Sequence, residues 1–202
     1  TGPEATNAAE PANLAVQSVG SAALVWEANN NPAGTTYEVS MSTDAFVALT
    51  STPVPVSAGL TALTTTVATL QPNVTHSFRV RAIGHGGVFS GFSNTVSTTS
   101  LANIQAAASP AFSALGSSQV TVAWGANSNP AGTLYALELS TAVDFTGTGD
   151  VVTAGIPATS STTVGLAPNT TYYFQVSAQN GSGTGTSFFN IGSTITLANV
   201  SG

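Results

Sequence analysis

The chain has no lysine and no cysteine, and only two of its 202 residues are arginine. Against those stand eight Asp and Glu, so the formal charge is -6 and charged residues make up 5% of the chain. Soluble domains ordinarily carry about 25%. Nucleic acids and anionic membrane surfaces are held by clusters of Lys and Arg, and two arginines cannot supply such a cluster. Without cysteine there is no disulfide framework, no thiolate nucleophile and no zinc cluster. No stretch approaches the roughly 18 consecutive apolar residues of a spanning helix, so membrane insertion is not expected. Thr1 to Glu10 lack the basic start and apolar run of a secretion signal. What the chain does have is 42% hydrophobic residues, the opposite of a disordered composition.

The strongest positive signal is internal repetition. The segment from Val25 to Thr43, VWEANNNPAGTTYEVSMST, returns from Ala123 to Thr141 as AWGANSNPAGTLYALELST. Further on, LQPNVTHSFRVRA from Leu70 returns as LAPNTTYYFQVSA from Leu166. Two segments recurring in order at nearly one spacing mean two copies of a unit of just under a hundred residues. Ala12-Asn13-Leu14, Ala102-Asn103-Ile104 and Ala198-Asn199-Val200 read as the opening of successive units. The expected division is an N-terminal extension at 1–10, domains at 11–100 and 101–196, and the start of a further repeat or a tail at 197–202. Such a chain is expected to come from a longer array, or to meet a neighbouring subunit at its end.

Within each unit the apolar residues alternate, as strands with one buried face require. Ala22, Leu24 and Trp26 share one face, as do Val120, Val122 and Trp124. Tyr37, Val39 and Met41 correspond to Tyr135, Leu137 and Leu139. Phe78, Val80 and Ala82 match Phe174, Val176 and Ala178, with Arg79 and Arg81, or Gln175 and Ser177, on the opposite face. No sustained helical period appears, and the spacing of turn residues predicts about seven short strands per unit. The expected fold is all-β, two tandem sandwiches of antiparallel sheets.

A Trp on the second strand, a Tyr on the third, and then Leu-x-Pro-x-x-x-Tyr leading into an alternating strand that ends in Ala resembles the fibronectin type III module. Leu166, Pro168, Tyr172, Phe174, Val176 and Ala178 carry the pattern in the second copy. The first copy keeps Leu70, Pro72, Phe78, Val80 and Ala82 but has His76 where the family has its corner tyrosine. The resemblance implies immunoglobulin-like sandwiches of seven strands. It also implies that Asn29 to Gly34, or Asn127 to Gly132, shares one end of the module with the loop before the last strand. It implies little about function, because such modules serve as spacers, adhesion platforms and enzyme appendages alike.

The candidate chemistry is thin. The repeated Asn-Pro-Ala-Gly-Thr has the residue types of a tight turn, with Pro pre-setting one dihedral and Gly accepting positive φ; Asn30 in that loop is a candidate ligand contact. His76 and His85 are the only imidazoles, and neither has the companions that a metal site or hydrolytic triad needs. His76 is expected as a substitute corner residue and His85 as a solvated loop residue. Asp144 and Asp150, with Asp44 in the first copy, could offer oxygens to calcium, but the spacing is not that of an EF-hand and no cofactor is expected. Glu38 and Glu138 hold matching positions on a face expected to be solvated. Four Asn-x-Ser/Thr sequons, at Asn73, Asn169, Asn180 and Asn199, are about what chance provides in so Asn-, Ser- and Thr-rich a chain. Phe89 and Phe92, and Phe188 and Phe189, surround the last loop and strand of each unit; they would form either core packing or a patch for sugar stacking or association.

Edge strands are normally guarded by Lys, Pro or bulges, and a chain with almost no charge has little to guard them with. The expected protein is a non-enzymatic structural or adhesive segment of a secreted or cell-surface protein. Low charge of this kind is similar to that of bacterial surface arrays. Its expected partners are neighbouring domains, other subunits, or surface glycans. A self-assembling filament or surface-layer subunit built by strand pairing is the first alternative, and a carbohydrate-binding accessory module the second.

Overall fold

The computed structural model describes residues 7–18, 22–47, 59–147 and 150–199. The chain divides into two compact units, Thr1–Ser100 and Leu101–Gly202. All regular elements among the described residues are strands, seven in each unit.

The first unit runs β1 (Ala12–Ser18), β2 (Ala22–Glu27), β3 (Thr36–Ser42), β4 (Thr64–Val67), β5 (Thr75–Ile83), β6 (Phe89–Phe92) and β7 (Val96–Thr99). One sheet has the order β1-β2-β4; in the other, β5 pairs with β3 on one side and with both β6 and β7 on the other. The last strand is thus laid down in two pieces. The second unit runs β8 (Ala106–Ser113), β9 (Gln119–Gly125), β10 (Leu134–Ser140), β11 (Val151–Ile156), β12 (Ser160–Val164), β13 (Thr171–Gln179) and β14 (Phe189–Ile195). Its sheets are β12-β9-β8 and β11-β10-β13-β14. Every pairing is antiparallel.

Alternation decides what lies between the sheets. In β2, Ala22, Leu24 and Trp26 are buried while Ala23 and Val25 are half-buried on the other face. They pack with Tyr37, Val39, Phe78, Val80 and Ala82 from the second sheet. Trp124, Tyr135, Leu137, Phe174, Val176 and Ala178 do the same in the second unit, where Leu166 is also buried. Leu70, its counterpart in the first unit, is only partly buried. Each indole meets its tyrosine edge to face, at 5.7 Å for Trp26–Tyr37 and 5.6 Å for Trp124–Tyr135. Such rings bring large apolar area together with a favourable quadrupole contact.

The opening of the first unit differs from the sequence expectation. Asn127 and Asn129 bond to the backbone of Ile104 and Asn103, and the matching Asn29 and Asn31 bond to Glu10 and Ala9. The counterpart of Ala102-Asn103-Ile104 is therefore Ala8-Ala9-Glu10, not Ala12-Asn13-Leu14. Ala8 packs on the first core and Ala9 and Glu10 are bonded to Asn31 and Asn29, so these three residues of the expected extension are held against the sandwich. Likewise Leu197 is bonded into the second unit, donating to the Gly116 carbonyl at 2.9 Å.

Candidate functional site

Both arginines sit on the outward face of the β3-β5-β6 sheet of the first unit. The register puts Glu38 opposite Arg81 and Ser40 opposite Arg79, with Phe92 beyond Arg81. An Arg81 amine donates to Glu38 Oε1 at 2.9 Å, and the two side chains are 23% and 20% exposed. Glu38 thus holds a cation on a half-covered surface, where the sequence had suggested a solvated carboxylate. The guanidinium planes also lie against aromatic rings. Arg79 is 4.1 Å from the centroid of Phe46 and 3.8 Å from that of Phe92. Arg81 is 3.6 Å from Phe89 and 5.0 Å from Phe92. Rings and cations thus form one strip of five residues. Guanidinium is planar and weakly hydrated, so it stacks at little desolvation cost. Beneath the strip Ser40 and Ser42 are buried, although they alternate with the core residues Tyr37, Val39 and Met41.

Local backbone chemistry positions each ring. Phe46 follows a turn in which Asp44 Oδ1 accepts from the Phe46 N–H at 3.0 Å and from the Ser42 hydroxyl. Ala45 and Phe46 take positive φ there, which turns the ring back over Arg79. On the other side the β5–β6 register shifts between Arg81 and Ile83. At that shift Ser90 and Ser93 hydroxyls accept from the Ala82 and Val80 N–H groups at 2.9 and 3.1 Å. The two serines hold Phe89 and Phe92 on the sheet where regular pairing is interrupted.

The other candidates fall in different places. Phe89 is 46% exposed at the end of the strip. In the second unit Phe189 packs against the core and is not a surface contact, while Phe188 is 42% exposed. In place of the arginine strip that unit has Gln175 donating to Glu138 at 2.6 Å. His85 is exposed in the turn Gly84–Gly87, and Asn30 is exposed at positive φ. Asp144 is exposed, its carboxyl held below the usual range by bonds from Thr146. Among the described residues no three His, Cys, Asp or Glu side chains gather to hold a metal.

Two groups of functional residues are not legible as motifs. Phe46 has no counterpart in any alternating pattern, and its partner Arg79 would have been found only by asking what covers a cation that no acid faces. Asn31 and Asn129 are the second group. Asn129 Oδ1 accepts from the Asn103 N–H at 2.7 Å and its Nδ2 donates to the Asn103 carbonyl at 2.9 Å, as a neighbouring strand would. The same side chain bonds the buried Tyr135 hydroxyl, and Asn31 does so for Tyr37. Burial pushes both phenols above their ordinary value, with the asparagine bond opposing.

The corners also correspond. Tyr172 accepts from the Ala167 N–H at 2.9 Å. In the first unit the imidazole of His76 occupies that place, accepting from the Gln71 N–H at 3.4 Å.

The sequence model of the family described as Fibronectin type III domain matches residues 106–190. No curated protein matches the sequence. Among solved structures, a two fibronectin type III domain segment from chicken tenascin is 16% identical, with a TM-score of 0.58 over 92% of this chain and 99% of that one. The FN1–FN3 domains of chicken CNTN1 are 18% identical over 96% of this chain and 69% of that one, with a TM-score of 0.37, too loose a likeness to support a conclusion. Residues 106–190 thus match the fibronectin type III family, and the chain as a whole has the fold of the tenascin pair, two tandem all-β sandwiches.

Proposed function

We propose that the chain is a non-enzymatic structural or adhesive segment of a secreted or cell-surface protein, of the kind found in bacterial surface arrays, which spaces and presents its partners. The observation that carries this reading is the separate core of each sandwich, built around its own Trp and Tyr, in a chain whose polar side chains are spent on holding backbone. A tandem pair of the same build is found in chicken tenascin. The exposed end of the arginine strip, at Phe89, is the contact surface we assign to the first unit.

Pulling the chain by its ends in a single-molecule force experiment tests the spacing role. Two unfolding events are expected, each releasing roughly 300 Å for about 90 residues at close to 3.5 Å per residue. A chain that yields without resolvable events, or in one event of full length, would defeat it.

A second reading, self-assembly through strand pairing, is favoured by one element. β11 is an edge strand exposed along nearly its whole length; it has no charged residue and no Pro, and Val151 and Val152 are 48% and 55% exposed. Edges left so bare are templates for another strand. Sedimentation of the wild type against Val152→Lys decides: association lost in the variant supports assembly, and a monomeric wild type at every concentration removes it. The carbohydrate-binding reading has less support, because Phe89 and Phe92 already stack on guanidinium groups.

A further inference from the structure

We infer that His76 is an acid-sensitive lock on the first sandwich: taking up a proton breaks the corner that ties the turn Gln71–Val74 to β5, and the second sandwich has no equivalent weakness.

The ring is 1% exposed. Its Nδ1 lies 2.9 Å from the Val74 carbonyl, which can only accept, and its Nε2 lies 3.4 Å from the Gln71 N–H, which can only donate. Both bonds are satisfied by one form alone, the neutral ring with its proton on Nδ1. A proton arriving at Nε2 would set N–H against N–H in a place closed to water. The Nδ1–H bond to Val74 would persist, but the Gln71 end of the turn would lose its imidazole partner and keep the Ser100 hydroxyl, which donates to the Gln71 carbonyl and accepts from the Val74 N–H.

Among the described residues, no acidic side chain is placed to neutralise the new charge. Across the sheet His76 faces Thr98 of β7, and its own strand offers Thr75 and Ser77 beside it. The turn contributes Gln71 and Val74, and the segment after β7 contributes Ser100. Arg79 and Arg81 alternate to the opposite face of β5, where Glu38 is paired. Asp44 is bonded to Ser42 and Phe46, and the Glu10 side chain lies against Gly91. Burial accordingly pushes the His76 imidazole below its ordinary value, with the Val74 bond opposing.

The sign follows from linkage. An unfolded histidine takes up its proton near pH 6.5. Between that value and the lower folded one the unfolded state binds more protons, so stability of the first sandwich falls as pH falls below about 6.5. For one proton the limit is about tenfold in the unfolding constant per pH unit. In the second sandwich the corresponding corner holds no imidazole: the Tyr172 hydroxyl oxygen accepts from Ala167 there.

Amide hydrogen exchange on the whole chain, read by mass spectrometry and corrected for the intrinsic rate, tests this at pH 7.5 and pH 5. Protection of β5 and β7 should drop by up to about tenfold per pH unit below 6.5, while that of β13 and β14 changes little. His76→Tyr should abolish the difference between the sandwiches, and His85→Gln should leave it. An equal response in both sandwiches, or a drop that survives His76→Tyr, overturns the inference. Should His76→Tyr not fold, NMR titration of the wild-type imidazole serves: a ring that titrates near pH 6.5 with β5 protection intact would equally overturn it.

Discussion

Asn129 shows how much one side chain can hold in a chain so short of charge. It supplies both partners for the Asn103 backbone and one for the Tyr135 hydroxyl, and it is 8% exposed. Removing it would leave buried groups without partners, at about 1–3 kcal/mol for such a group. Asn129→Ala should therefore lower the stability of the second sandwich by about 2 kcal/mol, seen as an earlier transition in Trp fluorescence. A change within a few tenths would mean that water replaces the amide. Arg81 makes a comparable case. Arg81→Gln recreates the Gln–Glu pair of the second unit, keeping a bond to Glu38 but losing the stacking on Phe89 and Phe92. Each stacked cation contributes about 0.5–2 kcal/mol, so urea unfolding of the first unit should shift by about 1 kcal/mol and respond little to salt. At this scale the sequence was half legible. Trp26, Tyr37, Trp124 and Tyr135 announce themselves by alternation, but Asn31 acts on the backbone of Ala9, which has no side-chain pattern to read. For that reason the Ala-Asn likeness at Ala12 and Asn13 misled: it matched residue identities, while the bonds fall at Ala9 and Glu10.

Among elements, the final strand of each unit divides the two copies. In the second unit β14 is one strand with a register shift after Phe174, and Gly192 stands there at φ +119. A side chain at Gly192 has room, since its nearest neighbour would be a Phe112 ring carbon at 3.8 Å. Gly192→Ala should still cost about 1–2 kcal/mol through the backbone, because L-residues avoid that φ. Thermal unfolding checks it, and an unchanged midpoint would show that β14 can flatten. In the first unit the same strand is split into β6 and β7, with Ser90 and Ser93 completing the bonds. The sequence spacing predicts about seven strands per unit; the second has seven, and the seven segments described in the first include both pieces of its last strand. The split was hidden because it depends on which hydroxyls replace a missing ladder bond, and serine is common throughout the chain.

For the whole molecule, the two core clusters share no residue. Residues 101–199 expressed alone should therefore unfold in one cooperative transition with Trp124 buried; a non-cooperative melt or a red-shifted indole emission would count against an autonomous core. Composition, repetition and period-two alternation are properties of the one-dimensional chain, and they sufficed for two all-strand units and their buried indoles, because burying alternate residues is what a half-covered sheet requires. What alternation cannot say is which outward residues become covered in turn. Phe46 and Phe92 on Arg79, Phe189 on the core and Asn31 on Ala9 were decided only when turns and register shifts brought distant segments within hydrogen-bonding and stacking range. Those interactions fall off within a few ångströms, and sequence separation does not encode such distances.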